Sequence, residues 1–105
     1  MVSMDRDALV AFFNATGGAR WKKNSNWNTD ATLSDWHGVE VYQGRVVKLE
    51  LSRNNLKGPI PPEIGNLEAL EHLELDHNGL SGAIPAQLGA LAKLTLLDLS
   101  SNNLD

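Results

Sequence analysis

The sequence has no cysteine, a deficit of positive charge and no long apolar run, and each absence excludes a class of structure or site. Without cysteine among its 105 residues, the chain forms no disulfide and offers no thiolate to a metal or a substrate. Its 9 lysines and arginines against 13 aspartates and glutamates give a formal charge of −4, which disfavours nucleic acid and anionic membranes as partners. No segment approaches the roughly 20 apolar residues of a membrane-spanning helix.

The N-terminus also lacks the pattern of a secretory signal peptide. It reads MVSMDRDALVAFF, in which Asp5, Arg6 and Asp7 precede any apolar run. Because a chain without cysteine suits a reducing environment, these two absences favour a cytoplasmic location, although the compartment stays unknown.

A repeat of 24 residues organises the second half of the chain. Asn54, Asn78 and Asn102 share this spacing, and three sets of leucines share it with them. Each unit contains a Leu-x-Leu pair, whose period of two places both leucines on one face of a short strand. One unit cannot bury these leucines, whereas stacked units form a continuous core, so the spacing predicts a solenoid.

The residues after each strand predict the rest of the unit. The three asparagines stand where the chain turns inward, and an amide both donates and accepts, so we expect a ladder that satisfies buried backbone groups. The Gly-x-Ile-Pro segment then bends the chain, and PEIGNL or AQLGAL suits one helical or 3₁₀ turn. We therefore expect parallel strands on the concave face and irregular turns on the convex face.

The motif LxxLxLxxNxLxGxIPxxLGxL, which runs through residues 46–104, resembles the leucine-rich repeat of the plant-specific subclass. Residues 5–44 resemble the N-terminal cap of that family, with Ser34 and Val41 where the secreted form carries cysteines. The resemblance implies an α/β fold, namely a short right-handed leucine-rich repeat solenoid with a cysteine-free cap. It also implies a recognition or signalling role, on a scaffold that hosts many functions.

The cap is expected to occupy residues 1–44, with a helix, a tryptophan-rich loop and the first strand of a hairpin. Residues 45–105 then hold two complete repeats and the strand half of a third. Gln43 and Gly44 suit a tight turn between strands 39–42 and 45–51. The aromatic residues could form a stacking platform for a sugar, but such side chains are more often buried, so we expect them to seal the first repeat. The predicted structural residues of the cap are Leu9, Phe12, Phe13, Trp21, Trp27 and Trp36.

The concave face is the expected binding surface for a protein or peptide. Strand alternation directs the residues between core leucines outward, and stacking places Glu50, Glu74 and Asp98 in one row, about 4.8 Å apart. The row is either an acidic recognition stripe for a basic or polar partner, or a solvated face whose carboxylates are screened. The predicted partner-binding residues are Lys48, Glu50, Ser52, Arg53, His72, Glu74, Asp76, His77, Leu96, Asp98 and Ser100.

Catalysis and metal binding have little support in the sequence. Carboxylates about 5–5.5 Å apart suit a retaining glycosidase, but equivalent positions on an open face lack the pocket and the unequal environments that separate acid from base. His72, Glu74, Asp76 and His77 could be drawn as metal ligands, but neither a ligand count nor a supporting shell favours that site. We predict no catalytic residue, no metal and no cofactor.

The final segment, LDLSSNNLD, repeats the strand of a unit without the turn that follows it elsewhere. We expect an open end with an unpaired strand edge and partly uncovered leucines. The sequence thus predicts a non-catalytic protein-interaction module. The alternative is a structural unit that self-associates through this end, for example as a homodimer, or a fragment of a longer repeat receptor or signalling protein. The predicted self-association residues are Leu94, Leu97, Leu99 and Leu104.

Overall fold

The computed structural model describes residues 3–105, with side chains from residue 4 onward. The first two residues of the predicted cap, 1–44, lie outside this range. Within it, helix α1 (Ser3–Ala15) is followed by short strands and 3₁₀ helices. The strands are β1 (Val39–Tyr42), β2 (Arg45–Glu50), β3 (Lys57–Gly58), β4 (His72–Glu74), β5 (Gly79–Gly82), β6 (Leu96–Asp98) and β7 (Asn103–Leu104), and the 3₁₀ helices are Gly18–Arg20, Leu33–Asp35, Pro62–Asn66 and Ala86–Ala90.

A four-stranded sheet in the order β1-β2-β4-β6 forms the concave face. The β1–β2 pair is antiparallel, and the pairs β2–β4 and β4–β6 are parallel. Leu49 lies opposite Leu73, and Leu73 lies opposite Leu97, so the strand register equals the 24-residue repeat. The predicted solenoid with parallel strands is confirmed.

A second sheet, in the parallel order β3-β5-β7, follows the turns that leave the concave face. The expectation of irregular turns is therefore wrong for these residues. Their backbone groups repeat with the same spacing and pair with each other, because buried N–H and C=O groups need partners. For example, Gly79 N donates to Leu56 O at 2.7 Å, and Asp105 N donates to Gly82 O at 2.9 Å.

The convex side carries the predicted 3₁₀ helices Pro62–Asn66 and Ala86–Ala90. These two helices pack closely, because Gly65 has no side chain: a Cβ there would lie 2.8 Å from Gln87 Cβ and 2.9 Å from the Gln87 carbonyl oxygen. Glycine at this position sets the spacing of neighbouring units on the convex side.

The predicted hairpin covers the outer edge of the concave sheet. Its turn residues Gln43 and Gly44 have φ angles of 52° and 79°, both left-handed, as a type I′ turn requires. β1 pairs with β2 from Val39 opposite Leu49 to Tyr42 opposite Arg45, so the first parallel strand has no free edge on that side.

An aromatic cluster fills the cap. Trp21, Trp27 and Trp36 are 5%, 4% and 1% exposed, and their rings lie 4.8 Å (Trp21–Trp27) and 5.1 Å (Trp27–Trp36) apart between centroids. The three indole N–H groups donate to backbone carbonyl oxygens of the cap at 2.8 to 3.1 Å. These rings therefore offer no exposed face to a sugar. Leu9 and Phe12 are fully buried in the same core, and Phe13 packs against it.

A buried ion pair fastens α1 to the hairpin. Asp5 is fully buried, and its carboxylate accepts hydrogen bonds from Arg45 Nε and NH2 and from Val46 N, each at 2.9 Å. The hydrogen bond to Asp5 raises the pKa of Arg45 above its ordinary value. The sequence does not reveal this pair, because its members stand 40 positions apart in segments without a shared pattern.

The predicted asparagine ladder joins each unit to its neighbour. Asn78 Oδ1 accepts from Asn54 N at 2.9 Å and from Leu56 N at 3.0 Å, both in the preceding unit. Asn78 Nδ2 donates to Leu51 O at 3.1 Å and to Leu75 O at 2.9 Å. Asn78 Nδ2 also donates to Asp76 O at 3.2 Å, so one amide serves five backbone groups in two successive turns.

The ladder continues in both directions from Asn78. Asn102 accepts from Leu80 N at 3.0 Å and donates to Leu75 O at 2.9 Å. Asn54, which is 3% exposed, instead meets the cap: its Oδ1 accepts from Lys23 N at 2.7 Å, and its Nδ2 donates to Lys23 O at 2.8 Å. Cap and repeats therefore form one hydrogen-bonded series.

We expect the substitution Asn78→Ala to lower the free energy of unfolding by about 3 kcal/mol, because it leaves several buried backbone groups without partners. The matched control, Asn66→Ala, removes an exposed asparagine and should change the value by less than about 0.5 kcal/mol. Denaturant unfolding followed by circular dichroism measures both. Equal effects of the two substitutions would contradict a structural role for the ladder.

Candidate functional site

Strand pairing arranges the predicted concave residues in rows. Lys48, His72 and Leu96 form one row, and Glu50, Glu74 and Asp98 form the next. A further row contains Ser52, Asp76 and Ser100, because backbone hydrogen bonds continue the parallel pairing past the strands. These bonds run from Leu51 N to Glu74 O at 2.9 Å and from Arg53 N to Asp76 O at 3.0 Å.

The acidic row lies in the middle of this face. Glu50 is exposed, and Glu74 and Asp98 are half-buried. Among residues 3–105, the ion pairs are Arg45–Asp5 and Lys48–Glu40, and Asp76 lies at hydrogen-bond distance from His77, so none neutralises a member of the row. The carboxylates of three neighbouring strands are therefore paired with no lysine or arginine of the described residues, and His72 lies close to Glu50 and Glu74. The face has the charge to attract a basic group.

A chain of hydrogen bonds crosses the next row. Ser52 Oγ donates to Asp76 Oδ1 at 2.5 Å, and Asp76 Oδ2 lies 2.8 Å from His77 Nδ1. His77 Nε2 lies 3.4 Å from Arg53 NH2, so the series of polar contacts extends from Ser52 to Arg53. The hydrogen bond from Ser52, followed by that from His77, lowers the pKa of Asp76 below its ordinary value.

Arg53 and His77 lie beyond the concave strands, in the turns that follow β2 and β4. Their φ angles are 54° and 57°, in the left-handed region, so the alternation of an extended strand no longer directs their side chains. Both residues are exposed on the turns that lead from the first sheet to the second.

The metal-ligand grouping also differs from the one drawn from the sequence. Ligand atoms of Glu50, His72 and Glu74 lie within 4.8 Å of one another, on the adjacent strands β2 and β4. Asp76 and His77 are instead engaged with each other. The sequence motif His-x-Glu-x-Asp contains residues of a single strand. The strand register places Glu50 of the neighbouring strand next to Glu74.

At the open end of the solenoid, β6 carries Leu97, one of the predicted self-association residues, and the concave-face residue Leu96. Leu97 is 47% exposed and Leu96 is 40% exposed, whereas Leu73, equivalent to Leu97, is fully buried. Ile84 is 45% exposed although its counterpart Ile60 is only 3% exposed. Burial of a core position thus depends on the unit stacked after it. Leu94, Leu99 and Leu104 are partly buried against the core.

Tyr42 is a surface residue that the sequence does not single out. It is 65% exposed and lines an open cavity of about 340 Å³ with Glu40, Val47, Lys48 and Glu71, beside the concave face. Exposed aromatic residues at such a margin suit anchoring contacts with a partner. Tyr42 could have been found from the alternation of side chains along β1, which places Tyr42 on the same side of the strand as Glu40.

Stacked parallel strands, an asparagine ladder and a polar concave face define the class of leucine-rich repeat solenoids. A model of the leucine rich repeat family matches residues 44–104, more than half of the chain. The chain therefore belongs to the leucine-rich repeat family, and the family membership expected from its motif is confirmed.

Plant receptor kinases are among its relatives. A probable leucine-rich repeat receptor-like serine/threonine-protein kinase of Arabidopsis thaliana is 39% identical over 71 residues, which cover 66% of this chain and 7% of the kinase. Because the match covers so small a share of the kinase, the enzymatic activity of that protein is not assigned to this chain. Within residues 3–105, no helix combines the length and the apolar character needed to cross a membrane.

Solved ectodomains of Arabidopsis receptors share the fold. The BIR2 ectodomain from Arabidopsis thaliana superposes with a TM-score of 0.84 at 32% identity, covering 95% of this chain and 56% of that one. The Arabidopsis receptor kinase HAESA, solved with the peptide hormone IDA and the co-receptor SERK1, gives a TM-score of 0.84 at 30% identity, covering 98% of this chain and 18% of that one. These similarities agree with the plant-specific repeat subclass.

We expect Ser52→Ala to raise the pKa of Asp76 toward the ordinary value of about 3.9, because it removes the largest cause of the shift. A lowered carboxyl pKa stabilises the fold above its unfolded-state value, and that stabilisation is lost as the pH falls through the folded-state value. The variant should therefore lose less stability than the parent below about pH 4.

Carboxyl carbon NMR titration measures the pKa, and unfolding at several pH values measures the linked stability. The control Ser100→Ala removes a hydroxyl bonded to Asp98 and should leave the pKa of Asp76 unchanged. A pKa of Asp76 that is the same in the parent and in Ser52→Ala would refute this assignment.

Proposed function

We propose that this chain is a non-catalytic protein-interaction module that binds a basic or polar peptide segment of a partner on its concave face. Its relatives support this function: the receptor kinase HAESA was solved in complex with the peptide hormone IDA, and PEPR1 was solved together with AtPEP1. The chain covers only 18% of HAESA and 15% of PEPR1. We therefore infer the kind of peptide that this chain binds from the chain's own surface and not from the ligands of those proteins.

The observation that carries the proposal is the acidic row Glu50–Glu74–Asp98, held in register by β2, β4 and β6. Strands of one sheet are about 4.8 Å apart, so the row presents three carboxylates over about 10 Å. Like charges so close repel each other, and a cationic side chain laid across them relieves that repulsion. Arginine suits this position, since its guanidinium group bonds two carboxylates at once.

Neighbouring rows complete the surface. Lys48 and His72 flank the acidic row on one side, and the half-buried Ser52 and Asp76 flank it on the other. Exposed Leu96 and Tyr42 add apolar contact area at two margins of the sheet. A segment with a basic centre and an apolar residue at its end fits this distribution. In this proposal residues 1–44 act as the cap and residues 45–105 as the repeat region that presents the site.

We expect Glu50→Lys together with Glu74→Lys to weaken binding of arginine-containing peptides by at least about tenfold, because the row changes sign. The free energy of unfolding should change by less than about 1 kcal/mol, since both side chains are exposed or half-buried. Fluorescence anisotropy with a panel of labelled basic peptides measures the affinity.

The matched control reverses two exposed acids elsewhere, Asp30→Lys with Glu63→Lys, and gives the same net charge. This control should retain at least half of the parent affinity when salt is held constant. If it loses as much affinity as the Glu50–Glu74 variant, binding reflects net charge and the concave site is refuted. Undiminished binding by the Glu50–Glu74 variant would refute it as well.

A second proposal follows from the exposed leucines of β6: the 105-residue chain associates with a second copy through this edge. β6 ends the concave sheet, so one side of its backbone has no strand partner, and Leu96 and Leu97 lie on its two faces. Such an edge invites pairing with another strand. The self-association residues are those predicted from the sequence, Leu94, Leu97, Leu99 and Leu104.

We expect sedimentation velocity to show a concentration-dependent dimer, and Leu97→Lys to shift the protein to monomer because it places a charge in the interface. Tyr42→Lys, at the opposite edge of the sheet and 65% exposed, is the control that should leave the dimer intact. A parent chain that stays monomeric at the highest attainable concentration would refute this proposal and leave the concave site untouched.

A further inference from the structure

A basic hollow lies where the first sheet passes into the second. It has a volume of about 340 Å³ and is open to solvent. The cap contributes Lys22, the first repeat contributes Arg53 and Lys57, and the second contributes His77. The remaining lining residues are Asn55, Asn78 and Gly79, so no carboxylate belongs to the lining.

The three permanent cations of the hollow have no acidic partner in the part of the chain that the structure describes. Its two permanent ion pairs join Arg45 to Asp5 and Lys48 to Glu40, and Asp76 lies at hydrogen-bond distance from His77. The chain as a whole carries a formal charge of −4, yet Lys22, Arg53 and Lys57 face one small volume. No carboxylate lines the hollow, so a bound anion would relieve the repulsion among these cations.

Hydrogen bonds to neighbouring segments hold the backbone of these three basic residues. Lys22 N donates to Asn54 O at 3.1 Å, Arg53 N donates to Asp76 O at 3.0 Å, and Lys57 N donates to Thr16 O at 3.1 Å. Each of these three residues is thereby fixed through its backbone to a different neighbouring segment. Their Cα positions are set by the packing of the cap on the repeats, which lowers the entropic cost of gathering them around a ligand.

Two side chains are also oriented toward the hollow. A Cβ on Gly79 would lie 3.2 Å from Lys57 Cγ and 3.8 Å from Lys57 Cε, so the lysine stem lies along the bare glycine backbone. His77 Nε2 lies 3.4 Å from Arg53 NH2 and positions the guanidinium group. Asn55 Nδ2 donates to Arg20 O at 3.0 Å and fixes the wall opposite the second repeat.

We propose that this hollow binds a tetrahedral oxyanion, the phosphate or sulfate group of a ligand. A guanidinium group and two ammonium groups supply charge-assisted hydrogen bonds from three segments, which suits an anion with several acceptor oxygens. The site is separate from the acidic row, whose charge has the opposite sign. It does not rest on the proposed peptide binding and is tested without any peptide.

The test is an NMR titration of the 105-residue protein with inorganic phosphate and, separately, inorganic sulfate, with chloride added to keep the ionic strength constant. We expect saturable shifts confined to amides around Lys22, Arg53, Lys57 and His77, with a Kd on the order of 10 mM for so open a site. A lower Kd for one of the two ions identifies which ester the site prefers. Acetate should bind at least about fivefold more weakly, because it has two acceptor oxygens.

The variant Arg53→Gln with Lys57→Gln should raise the Kd at least about tenfold, and Lys22→Gln alone should raise it about threefold, since it removes one cation from the cap side. Lys93→Gln, an exposed lysine outside the hollow, is the control and should leave the Kd unchanged. An unchanged spectrum away from the hollow verifies that each variant is folded. The single Lys22 variant keeps the test decisive if the double variant unfolds.

Absence of saturable shifts, shifts centred on other residues, or an equal effect of Lys93→Gln would each overturn the proposal. Binding of acetate as tight as that of phosphate and sulfate would also overturn it, since the site would then be a carboxylate site.

Discussion

The interaction on which the rest of the structure depends is the bond between an asparagine amide and the backbone of the neighbouring turn. Asn54, Asn78 and Asn102 each stand at a point where the chain turns inward, and no regular sheet or helix can satisfy the backbone groups there. Asn78 alone serves five such groups at 2.9 to 3.2 Å. Without these hydrogen bonds, burial of the leucines of successive units would leave backbone polar groups in the core without partners, at a high cost in free energy. The cap joins the same series through Lys23, so the first repeat has a partner of the same kind as its successors.

Surface chemistry follows from this stacking. Parallel strands in register place equivalent residues side by side, so one acidic position becomes an acidic row, and one exposed position becomes a row of exposed side chains. The turns that follow place Arg53 beside His77 in the same way, and the cap adds Lys22. The protein therefore carries two polar surfaces of opposite sign, one on the strands and one where the chain leaves them. Their separation follows from the left-handed φ angles of Arg53 and His77, which end the strand alternation.

The periodic part of the fold could be predicted from the sequence, and the aperiodic contacts could not. The 24-residue spacing fixes the register of Leu49, Leu73 and Leu97, and hence the concave rows, before any coordinates are known. The second sheet has no signature in the sequence. The Gly-x-Ile-Pro segment indicates a bend, and strands as short as β3 and β7 show no alternating pattern. The Asp5–Arg45 pair and the basic hollow depend on how the cap lies against the repeats. That arrangement is set by shape and burial, which have no signature in local sequence.

The ladder also has a consequence for how such a chain can change its length. Asn78 and Asn102 each bond to backbone groups of their own unit and of the unit before it, so a whole unit of 24 residues inserted between them would offer each amide equivalent partners. A single inserted residue within a strand has the opposite effect, because it turns every following side chain of that strand to the other face. Growth by duplication of complete units is therefore tolerated, whereas small insertions are confined to the turns. The number of repeats can therefore vary, whereas the spacing of 24 residues between equivalent positions cannot.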